Sequence, residues 1–338
     1  MKILTIAVPC YNSQEYMKKC IDSLLVGGDE VEILIVNDGS KDKTAEIADE
    51  YERQYPGIVR AIHQENKGHG GAVNTGIANA KGLYFKVVDS DDWLNAEAYK
   101  KALQVLEEVT KGPDTLDALI CNYVYEKDGA KRKRVMRYKS AFPEERIFTW
   151  NESEDLNLSQ YVLMHSLIYR TELLLECGLK LPEHTFYVDN IFAFQPMMYV
   201  KKMYYLDVNL YRYYIGRDDQ SVNEKVMLTR MDQQLRVNRL MIESYENNRV
   251  MQRQHKNYMV HNLSIIMAVS SILLIRQGTP ESLESKKELW QFLKEKDAWL
   301  YYKTRYGLLG RMVNLPGRSG RKTAVVCYKV AQRLYGFN

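Results

Sequence analysis

Cysteine is scarce in this chain, and the few that occur are scattered. The 338 residues contain five, an odd number, at Cys10, Cys20, Cys121, Cys177 and Cys327. None forms a C-x-x-C pair, and none has a nearby histidine at the spacing of a zinc finger. The pattern argues against a disulfide framework or a structural zinc motif, and it favours a reducing, cytoplasmic compartment.

Long apolar runs are also rare. The run at residues 3–10 is short, lacks a small-residue cleavage pattern and leads directly into polar helix-like sequence, so it predicts a strand and not a signal peptide. The longest uncharged stretch, residues 257–275, contains His261, Asn262 and Ser264 and is barely long enough to span a bilayer. We expect a buried helix there.

Acidic residues are absent from residues 298–338. The cations of this segment are Lys303, Arg305, Arg311, Arg318, Arg321, Lys322, Lys329 and Arg333. The whole chain has a formal net charge of +4, yet its 43 acids outnumber the cations that lie outside this segment. The positive sign therefore belongs to the end of the chain, and no nucleic-acid partner is expected.

Cations and apolar side chains are interleaved within residues 303–338. This pattern is typical of a segment that lies on an anionic membrane, where each surface cation adds about 1 kcal/mol of attraction. A solvated terminal helix packed on the body and an oligomer contact are alternatives that the sequence leaves open.

Complete phosphate-loop signatures are missing as well. Gly68 and Gly70 open a predicted helix after a strand, but the dinucleotide pattern requires glycine or alanine where Val73 stands, and no Walker pattern occurs. A P-loop nucleotidase and a nicotinamide-dependent enzyme are therefore disfavoured. The small residues of this helix favour either free amides that meet a phosphate or ribose, or close packing on a sheet at Gly76 and Ala80.

What the first 125 residues do contain is an alternation of strand-like and helix-like segments. Predicted strands cover residues 3–8, 31–36, 58–63 and 83–88, and predicted helices begin at Ser13 and Asp42 and cover residues 68–80 and 95–109. The alternation predicts an α/β fold with a mainly parallel sheet flanked by helices.

The remainder of the chain is less regular. Residues 116–125 predict a strand, residues 127–139 an exposed basic loop or hairpin, residues 156–177 a helix, and residues 203–215 a tyrosine-rich strand. Long helices follow from Glu224, with breaks at residues 278–280 and 315–317. We therefore expect one domain at residues 1–222 and a mostly helical region at residues 223–338.

Polar loops follow four of the predicted strands, at residues 9–12, 37–40, 64–68 and 89–92. Ligands of open parallel sheets bind beyond the carboxyl ends of the strands. The four loops are therefore expected to converge on one ligand-binding edge.

Three carboxylates, Asp89, Asp91 and Asp92, crowd into the fourth loop. Their repulsion requires a compensating cation, donor or helix start. Mg²⁺ and Mn²⁺ prefer oxygen ligands and would serve. The alternative is that Asp92 or Asn95 caps the helix that follows.

Four motifs occur in order at these strand ends: VPCYN at residues 8–12, VNDGSKDKT at 36–44, ENKG at 65–68 and VDSDDW at 88–93. Together they resemble glycosyltransferase family 2, closely over the first 125 residues and more loosely to about Val222. The resemblance implies a GT-A fold and an inverting sugar transfer from a nucleotide-sugar, with a UDP-sugar as the expected donor.

The resemblance also implies which residues bind the donor. They are Pro9, Tyr11, Asn12, Asp38, Asn66, Lys67, Asp89 and Ser90. In this assignment Asp38 accepts a hydrogen bond from the base, and Asp89 holds the ribose or a metal-bound water.

The remaining implied roles are the metal and the base. Asp91, assisted by Asp89, is the expected ligand of Mn²⁺ or Mg²⁺. Asp189 is the expected base that deprotonates the acceptor hydroxyl, although Val188 stands where the family usually has Glu. Helix N-capping is the alternative role of Asp189.

Departures from the family pattern indicate how many sugars the chain adds to its acceptor. Val73 replaces an arginine that is frequent in relatives, and the Q-x-x-R-W motif of processive synthases does not occur. A single addition is therefore expected. Arg217 is either a cation that closes over the diphosphate or part of a surface turn, and His165 and His184 are expected to be structural.

The acceptor expected from these features is a cell-envelope saccharide or a lipid-linked glycan. The expected location is cytoplasmic, with peripheral contact at the inner face of the membrane. An inactive nucleotide-sugar-binding component of a membrane glycan assembly is the alternative function.

Overall fold

The computed structural model describes residues 1–127, 129, 133–215, 224–246 and 252–335. The chain forms two compact units. The first comprises Met1–Glu154 and Val162–Tyr214, and the second comprises Asp155–Tyr161 and the chain from Ile215 onward. The predicted boundary at Val222 and the predicted cation Arg217 lie outside the described residues.

The first unit is built on one mixed sheet. Its strands within the described residues are β1 (Leu4–Cys10), β2 (Val31–Asp38), β3 (Val59–Gln64), β4 (Tyr84–Val87), β5 (Trp93–Leu94), β6 (Ala118–Glu126), β7 (Arg134–Met136), β8 (Ile147–Phe148), β9 (Leu167–Arg170) and β10 (Met203–Tyr214). Their order is β3-β2-β1-β4-β9-β6-β10-β5, with β7 beside β6 and β8 beside β10.

Parallel ladders dominate this sheet. They join β1 to β2, β2 to β3, β1 to β4 and β6 to β10, and each is longer than any of the antiparallel ladders. Every residue of β1 and β2 is buried. Strands that are covered on both faces require such continuous apolar runs. The predicted α/β class with a mainly parallel sheet is confirmed.

Six α-helices belong to the described part of the first unit, beside short 3₁₀ turns. They are α1 (Met17–Leu24), α2 (Thr44–Gln54), α3 (Gly68–Asn79), α4 (Ala96–Lys111), α5 (Thr171–Glu176) and α6 (Asp189–Phe194). Asn95 caps α4, because its Oδ1 accepts a hydrogen bond from Ala98 N at 3.0 Å. Helix α3 packs on the sheet so closely that a Cβ at Gly76 would lie 2.6 Å from the Ala7 Cβ.

The predicted helix over residues 156–177 is wrong. Leu167–Arg170 form β9, which lies between β4 and β6, and the helical parts of this range are a 3₁₀ turn at Met164–Ser166 and an α-helix at Thr171–Glu176. The apolar residues of β9 are fully buried. A short, continuously buried run of this kind has no periodicity that separates a strand from a helix, so the helical assignment had no reliable basis.

The predicted hairpin at residues 127–139 is present at its base. Strand β7 pairs antiparallel with β6, from Tyr125↔Arg134 to Tyr123↔Met136. Residues 128 and 130–132 lie outside the described part of the chain.

The second unit is helical. Its described helices are α7 (Glu224–Thr229), α8 (Met231–Glu246), α9 (Arg253–Gln277), α10 (Pro280–Lys296), α11 (Ala298–Tyr306), α12 (Leu308–Val313) and α13 (Gly317–Tyr335). The predicted break at residues 278–280 separates α9 from α10. Gly278 adopts φ +69° at the end of α9, and Thr279 caps α10.

Helix α9 is the centre of this unit and packs against α8, α10, α11, α12 and α13. It is the one helix among the described residues that is long and apolar enough to cross a membrane, and 67% of its apolar window is buried inside the structure. This burial agrees with the expected core helix at residues 257–275.

Candidate active site

The four polar loops meet at the carboxyl edge of the sheet. The first two are joined through Asn12, whose backbone N–H donates to Ser40 Oγ at 3.0 Å and whose Oδ1 accepts from Lys41 N at 2.9 Å. The first and fourth are joined by Ser13 Oγ and Ser90 Oγ, which lie 2.8 Å apart. The predicted convergence of the loops is therefore present.

Asp38 joins the second loop to the third. Its buried carboxylate accepts hydrogen bonds from Lys67 N and Gly68 N, both at 2.8 Å, and from Gln64 Nε2 at 2.6 Å. Asn66 Nδ2 donates to the Asp38 carbonyl at 2.9 Å. Asp38 thus holds the third loop in place while the side chains of Asn66 and Lys67 remain exposed.

Gly39 makes this contact between loops possible. It adopts φ +72°, and a Cβ at this position would lie 2.9 Å from Asn66 N. A larger residue would be strained by its conformation and would also push the third loop away.

Asp89 is paired with His69, the second residue of α3. His69 Nε2 lies 2.8 Å from Asp89 Oδ1. Although burial opposes both charges, the pair raises the pKa of His69 and lowers the pKa of Asp89 relative to their usual values. The side chains stay partly accessible, at 34% and 24%. The fourth loop therefore carries a carboxylate that the neighbouring His69 ring keeps ionised.

Asp92 has a structural position below this pair. Its Oδ2 accepts from Tyr211 Oη at 2.6 Å and its Oδ1 accepts from Tyr214 N at 2.7 Å, so it anchors the fourth loop to β10. Burial, together with the Asp91 and Asp89 carboxylates, raises the pKa of Asp92 well above its usual range. Of the two predicted capping residues, Asn95 caps α4.

A buried layer of basic and aromatic groups supports the carboxylates. Lys86 Nζ donates to the carbonyls of His165 at 2.8 Å and Leu167 at 3.3 Å, and it lies 5.0 Å from the centre of the Tyr211 ring. The His165 ring stacks on Tyr211 with 4.7 Å between centroids. Burial lowers the pKa of Lys86 to about 8 and that of His165 to about 4. His165 is therefore neutral at pH 7.

One group of possible metal ligands occurs among the described residues. It comprises Asp89, Asp92 and His165, whose ligand atoms all lie within 4.8 Å of one another. Asp91, which the sequence resemblance assigns to the metal, is half-buried and is not a member of this group.

The side chains that best suit a divalent cation as ligands are those at the solvent-accessible edge of the site. Both carboxylate oxygens of Asp92 already accept hydrogen bonds, and His165 is packed under the aromatic rings. Asp89 and Asp91 are carboxylates that solvent reaches in part, and oxygen ligands are those that Mg²⁺ and Mn²⁺ prefer. The buried His165 Nδ1 lacks a hydrogen-bond partner, so the inner group is a second position that experiment must distinguish.

Asp189 is the first residue of α6 and does not cap it. The N-cap position is Val188, and no side chain makes a capping hydrogen bond there. Burial raises the pKa of Asp189 to about 6, against the opposing effect of His69. Asn190 Nδ2 donates to Asp189 Oδ1 at 3.2 Å, and Asp189 lies near enough to His69 and Asp89 for their charges to affect its pKa.

The segment that leads to Asp189 is held by α3. Asn74 forms two hydrogen bonds with Leu181, from Nδ2 to the carbonyl at 2.8 Å and from the Leu181 N–H to Oδ1 at 2.9 Å. His184 N donates to the Lys67 carbonyl at 2.8 Å. A Cβ at Gly70 would lie 2.5 Å from the Pro182 carbonyl oxygen. The start of α3 thus holds residues 181–184, a few residues before Asp189.

The other sequence-predicted residues line the first loop. Tyr11 is 51% exposed, and Asn12 is exposed with φ +50°, an uncommon conformation outside glycine. Pro9 is buried within β1. The structure therefore places Tyr11 and Asn12, with Asn66 and Lys67, where a ligand can reach them.

Two residues that the structure brings to the site, His69 and Asn74, were missed by sequence reasoning. The signal for His69 was its place in the glycine-rich segment at residues 68–71, which opens the helix after the third predicted strand. No local signal identified Asn74, because its partner Leu181 lies 107 positions along the chain.

The family model and the relatives that match this chain are all described as glycosyltransferases. Residues 5–168 match the family model described as Glycosyl transferase family 2. The uncharacterized glycosyltransferase EpsJ of Bacillus subtilis (strain 168) is 31% identical over 223 residues, which cover 62% of this chain and 60% of that protein. Glycosyltransferase GlyA of Streptococcus pneumoniae is 39% identical over 114 residues, or 32% of this chain and 16% of that protein. The matches thus span less than two thirds of these relatives.

Two solved structures share the fold. S. aureus TarS 1-349 in complex with UDP-GlcNAc aligns with a TM-score of 0.72 at 20% identity, over 99% of this chain and 92% of that chain. Mannosyltransferase PcManGT from Pyrobaculum calidifontis, in complex with GDP-Man and Mn2+, aligns with a TM-score of 0.56 at 14% identity, over 98% and 86%. These likenesses confirm the expected GT-A fold.

Proposed function

Since the chain belongs to glycosyl transferase family 2 through its domain at residues 5–168, we propose that it is a metal-dependent, inverting glycosyltransferase. It moves a single sugar from a nucleotide diphosphate donor to an acceptor hydroxyl. The observation that carries this proposal is the meeting, at one sheet edge, of an ionised Asp89 with Asp189, a carboxyl whose raised pKa suits a base.

A UDP-sugar is the proposed donor. The exposed Tyr11 ring offers a face on which a base stacks, and the exposed Lys67 offers a cation to the diphosphate. Three hydrogen bonds occupy the Asp38 carboxylate, which can accept about four, so one acceptor position remains for the base. The solved relatives with UDP-GlcNAc and GDP-Man support a nucleotide-sugar in this edge.

Asp89 and Asp91 are the proposed ligands of Mn²⁺ or Mg²⁺. A divalent cation would supply positive charge to the departing diphosphate. His69 keeps Asp89 ionised and oriented, and Asp92 fixes the loop from below through Tyr211. Ser90, tied to Ser13, holds the first loop beside these carboxylates.

Asp189 is the proposed base. It takes the proton of the acceptor hydroxyl as that oxygen bonds to the anomeric carbon and the bond from this carbon to the diphosphate breaks. A base with a pKa of about 6 is largely ionised at pH 7 and is a stronger base than an ordinary aspartate. Attack from the side opposite the diphosphate inverts the anomeric configuration.

The proposed acceptor is a cell-envelope saccharide or a lipid-linked glycan, and the proposed location is the cytoplasm at the inner face of the membrane. The basic segment at residues 303–338 supports this location, since it carries no acid. A single addition is proposed because the Q-x-x-R-W motif does not occur in the sequence.

The base assignment is tested with Asp189→Asn. This variant should bind UDP with wild-type affinity in a calorimetric titration but lose turnover of UDP-sugars. Glu172→Gln is the matched control, because Glu172 also lies in the first turn of a short helix of this unit but is 75% exposed. Activity of Asp189→Asn equal to that of the control would overturn the assignment. UDP binding by the wild-type chain without turnover of any sugar donor would favour the inactive binding component instead.

The metal position is tested with Asp91→Ala and His165→Ala. If the outer carboxylates hold the cation, Asp91→Ala loses manganese-dependent activity and His165→Ala keeps its manganese requirement at the wild-type concentration. The opposite result would place the cation in the group of Asp89, Asp92 and His165. Unchanged activity of both variants would exclude a metal at either position.

A further inference from the structure

The end of the chain forms three helices, α11, α12 and α13, and α11 exposes an aromatic face. Trp299, Tyr302 and Tyr306 are 45%, 59% and 50% exposed. Their spacing of three and four residues places them on one side of the helix. Leu300 and Thr304 are buried on the other side. The helix therefore packs against its own unit through the side that carries Leu300 and Thr304, and its aromatic face is exposed to solvent.

Cations accompany these rings. Lys303 Nζ lies 5.8 Å from the centre of the Trp299 ring, and the Arg305 guanidinium lies 5.4 Å from that of Tyr306. The Tyr302 and Tyr306 rings are stacked at 5.5 Å. Aromatic rings with a polar edge, placed beside cations, are enriched where a protein meets the headgroup level of a bilayer.

Helix α13 presents a second row of cations to solvent. Arg318, Lys322 and Lys329 are exposed at spacings of four and seven residues, and the exposed Val326 and Val330 lie beside them. Ala324, on the opposite side, is buried. No acidic residue occurs in residues 298–338. A surface with one sign of charge and exposed apolar side chains complements an anionic surface that is apolar beneath its charges.

We propose that the exposed faces of α11 and α13 bind the anionic surface of a lipid bilayer, with Trp299, Tyr302 and Tyr306 as interfacial anchors and the cations of α11 and α13 as phosphate contacts. This proposal rests on the proposed function in one respect, namely that the enzyme would meet a membrane-borne acceptor at the bilayer surface. The membrane contact proposed above for residues 303–338 is thereby extended to Trp299 and Tyr302 and assigned to the exposed faces of α11 and α13.

The chain carries its own reporter for this contact. Cys327 on α13 is exposed, whereas Cys10, Cys20, Cys121 and Cys177 are buried. A thiol-reactive, environment-sensitive dye on Cys327 of the full chain should change its emission when vesicles of phosphatidylglycerol and phosphatidylcholine are added. Vesicles of phosphatidylcholine alone should leave the emission unchanged, and salt should weaken the effect.

Two triple variants of equal net charge distinguish binding through this surface from non-specific electrostatic attraction of the whole protein to anionic vesicles. Lys303→Gln, Lys322→Gln and Lys329→Gln together should weaken vesicle binding by about fivefold per cation, or about 100-fold in all. The control replaces Lys100, Lys111 and Lys139 of the first unit by Gln, each of which pairs with an acid. The control should bind as the wild type does. Trp299→Ser with Tyr302→Ser should weaken binding with charge unchanged.

The proposal would be overturned if the chain did not bind anionic vesicles at low salt, or if the two triple variants lost equal amounts of vesicle affinity. It would also be overturned if light scattering detected a lipid-independent dimer in which the Cys327 dye is shielded. Preferential binding of the segment to RNA would also overturn it. Because none of these measurements uses a sugar donor, failure here leaves the transferase assay unaffected, and loss of transferase activity leaves vesicle binding unaffected.

Discussion

Asp189 shows how much one residue depends on its surroundings. It resembles a helix N-cap in the sequence, yet it lies inside the first turn of α6, where burial raises its pKa to about 6. Only the ionised carboxylate can accept a proton. Catalysis should therefore be lost as the pH falls through this pKa and should be constant above it.

We predict that kcat/KM for the donor falls about tenfold per pH unit below about pH 6 and is level between pH 7 and 8. A pH profile of initial rates at saturating acceptor tests this. The Glu172→Gln control should have the same profile. A rate that is constant from pH 7 down to pH 5 would contradict the role of Asp189 as base.

His69 acts at the same scale through Asp89. We predict that His69→Ala weakens the apparent affinity for manganese by about tenfold, since a charged hydrogen bond of about 1.5–3 kcal/mol is lost. His69→Gln retains an N–H donor and should recover most of the affinity. Manganese titrations of the initial rate measure both. Equal manganese affinities of wild type and His69→Ala would show that the pair does not position Asp89.

At the scale of elements, α3 connects the donor side of the site to the base. Its first residue, Gly68, donates a backbone hydrogen bond to the Asp38 carboxylate, its second residue is His69, and its Asn74 holds the segment before α6. The sequence predicted the helix itself within one residue at its end. Its role as a clamp was not predictable, because Leu181 belongs to a stretch with no regular periodicity.

We predict that Asn74→Ala lowers the free energy of unfolding by about 1–3 kcal/mol and lowers kcat more than it raises the donor KM, because two hydrogen bonds to the base-bearing segment are lost. Asn79→Ala is the matched control, since Asn79 lies on the same helix and its side chain donates to the Thr75 carbonyl of that helix and not to the segment before α6. Urea unfolding and steady-state kinetics compare them. A kcat for Asn74→Ala as high as that of Asn79→Ala would refute the clamp.

At the scale of the whole molecule, ligand and metal should stabilise the chain together. At a UDP concentration 100 times its Kd, binding adds about 2.7 kcal/mol to stability. We predict that UDP raises the melting temperature more with manganese than with a chelator, and that Asp91→Ala removes this difference. Thermal-shift measurements with UDP, GDP and their sugars test this. A larger shift with GDP than with UDP would reassign the donor.

The sequence by itself determined the parts of this protein that depend on local pattern. Local sequence predicts the buried runs of β1 and β2, the periodicity of α4 and the polar residues after each strand. It does so because burial and hydrogen bonding within one element depend on the spacing of its side chains. The tertiary structure alone decided which distant groups meet. Asp92 with Tyr211 and Asn74 with Leu181 lie 119 and 107 positions apart, and His165 reaches the carboxylates only because β9 inserts between β4 and β6. Those contacts depend on the path of the chain between elements, which local spacing does not encode.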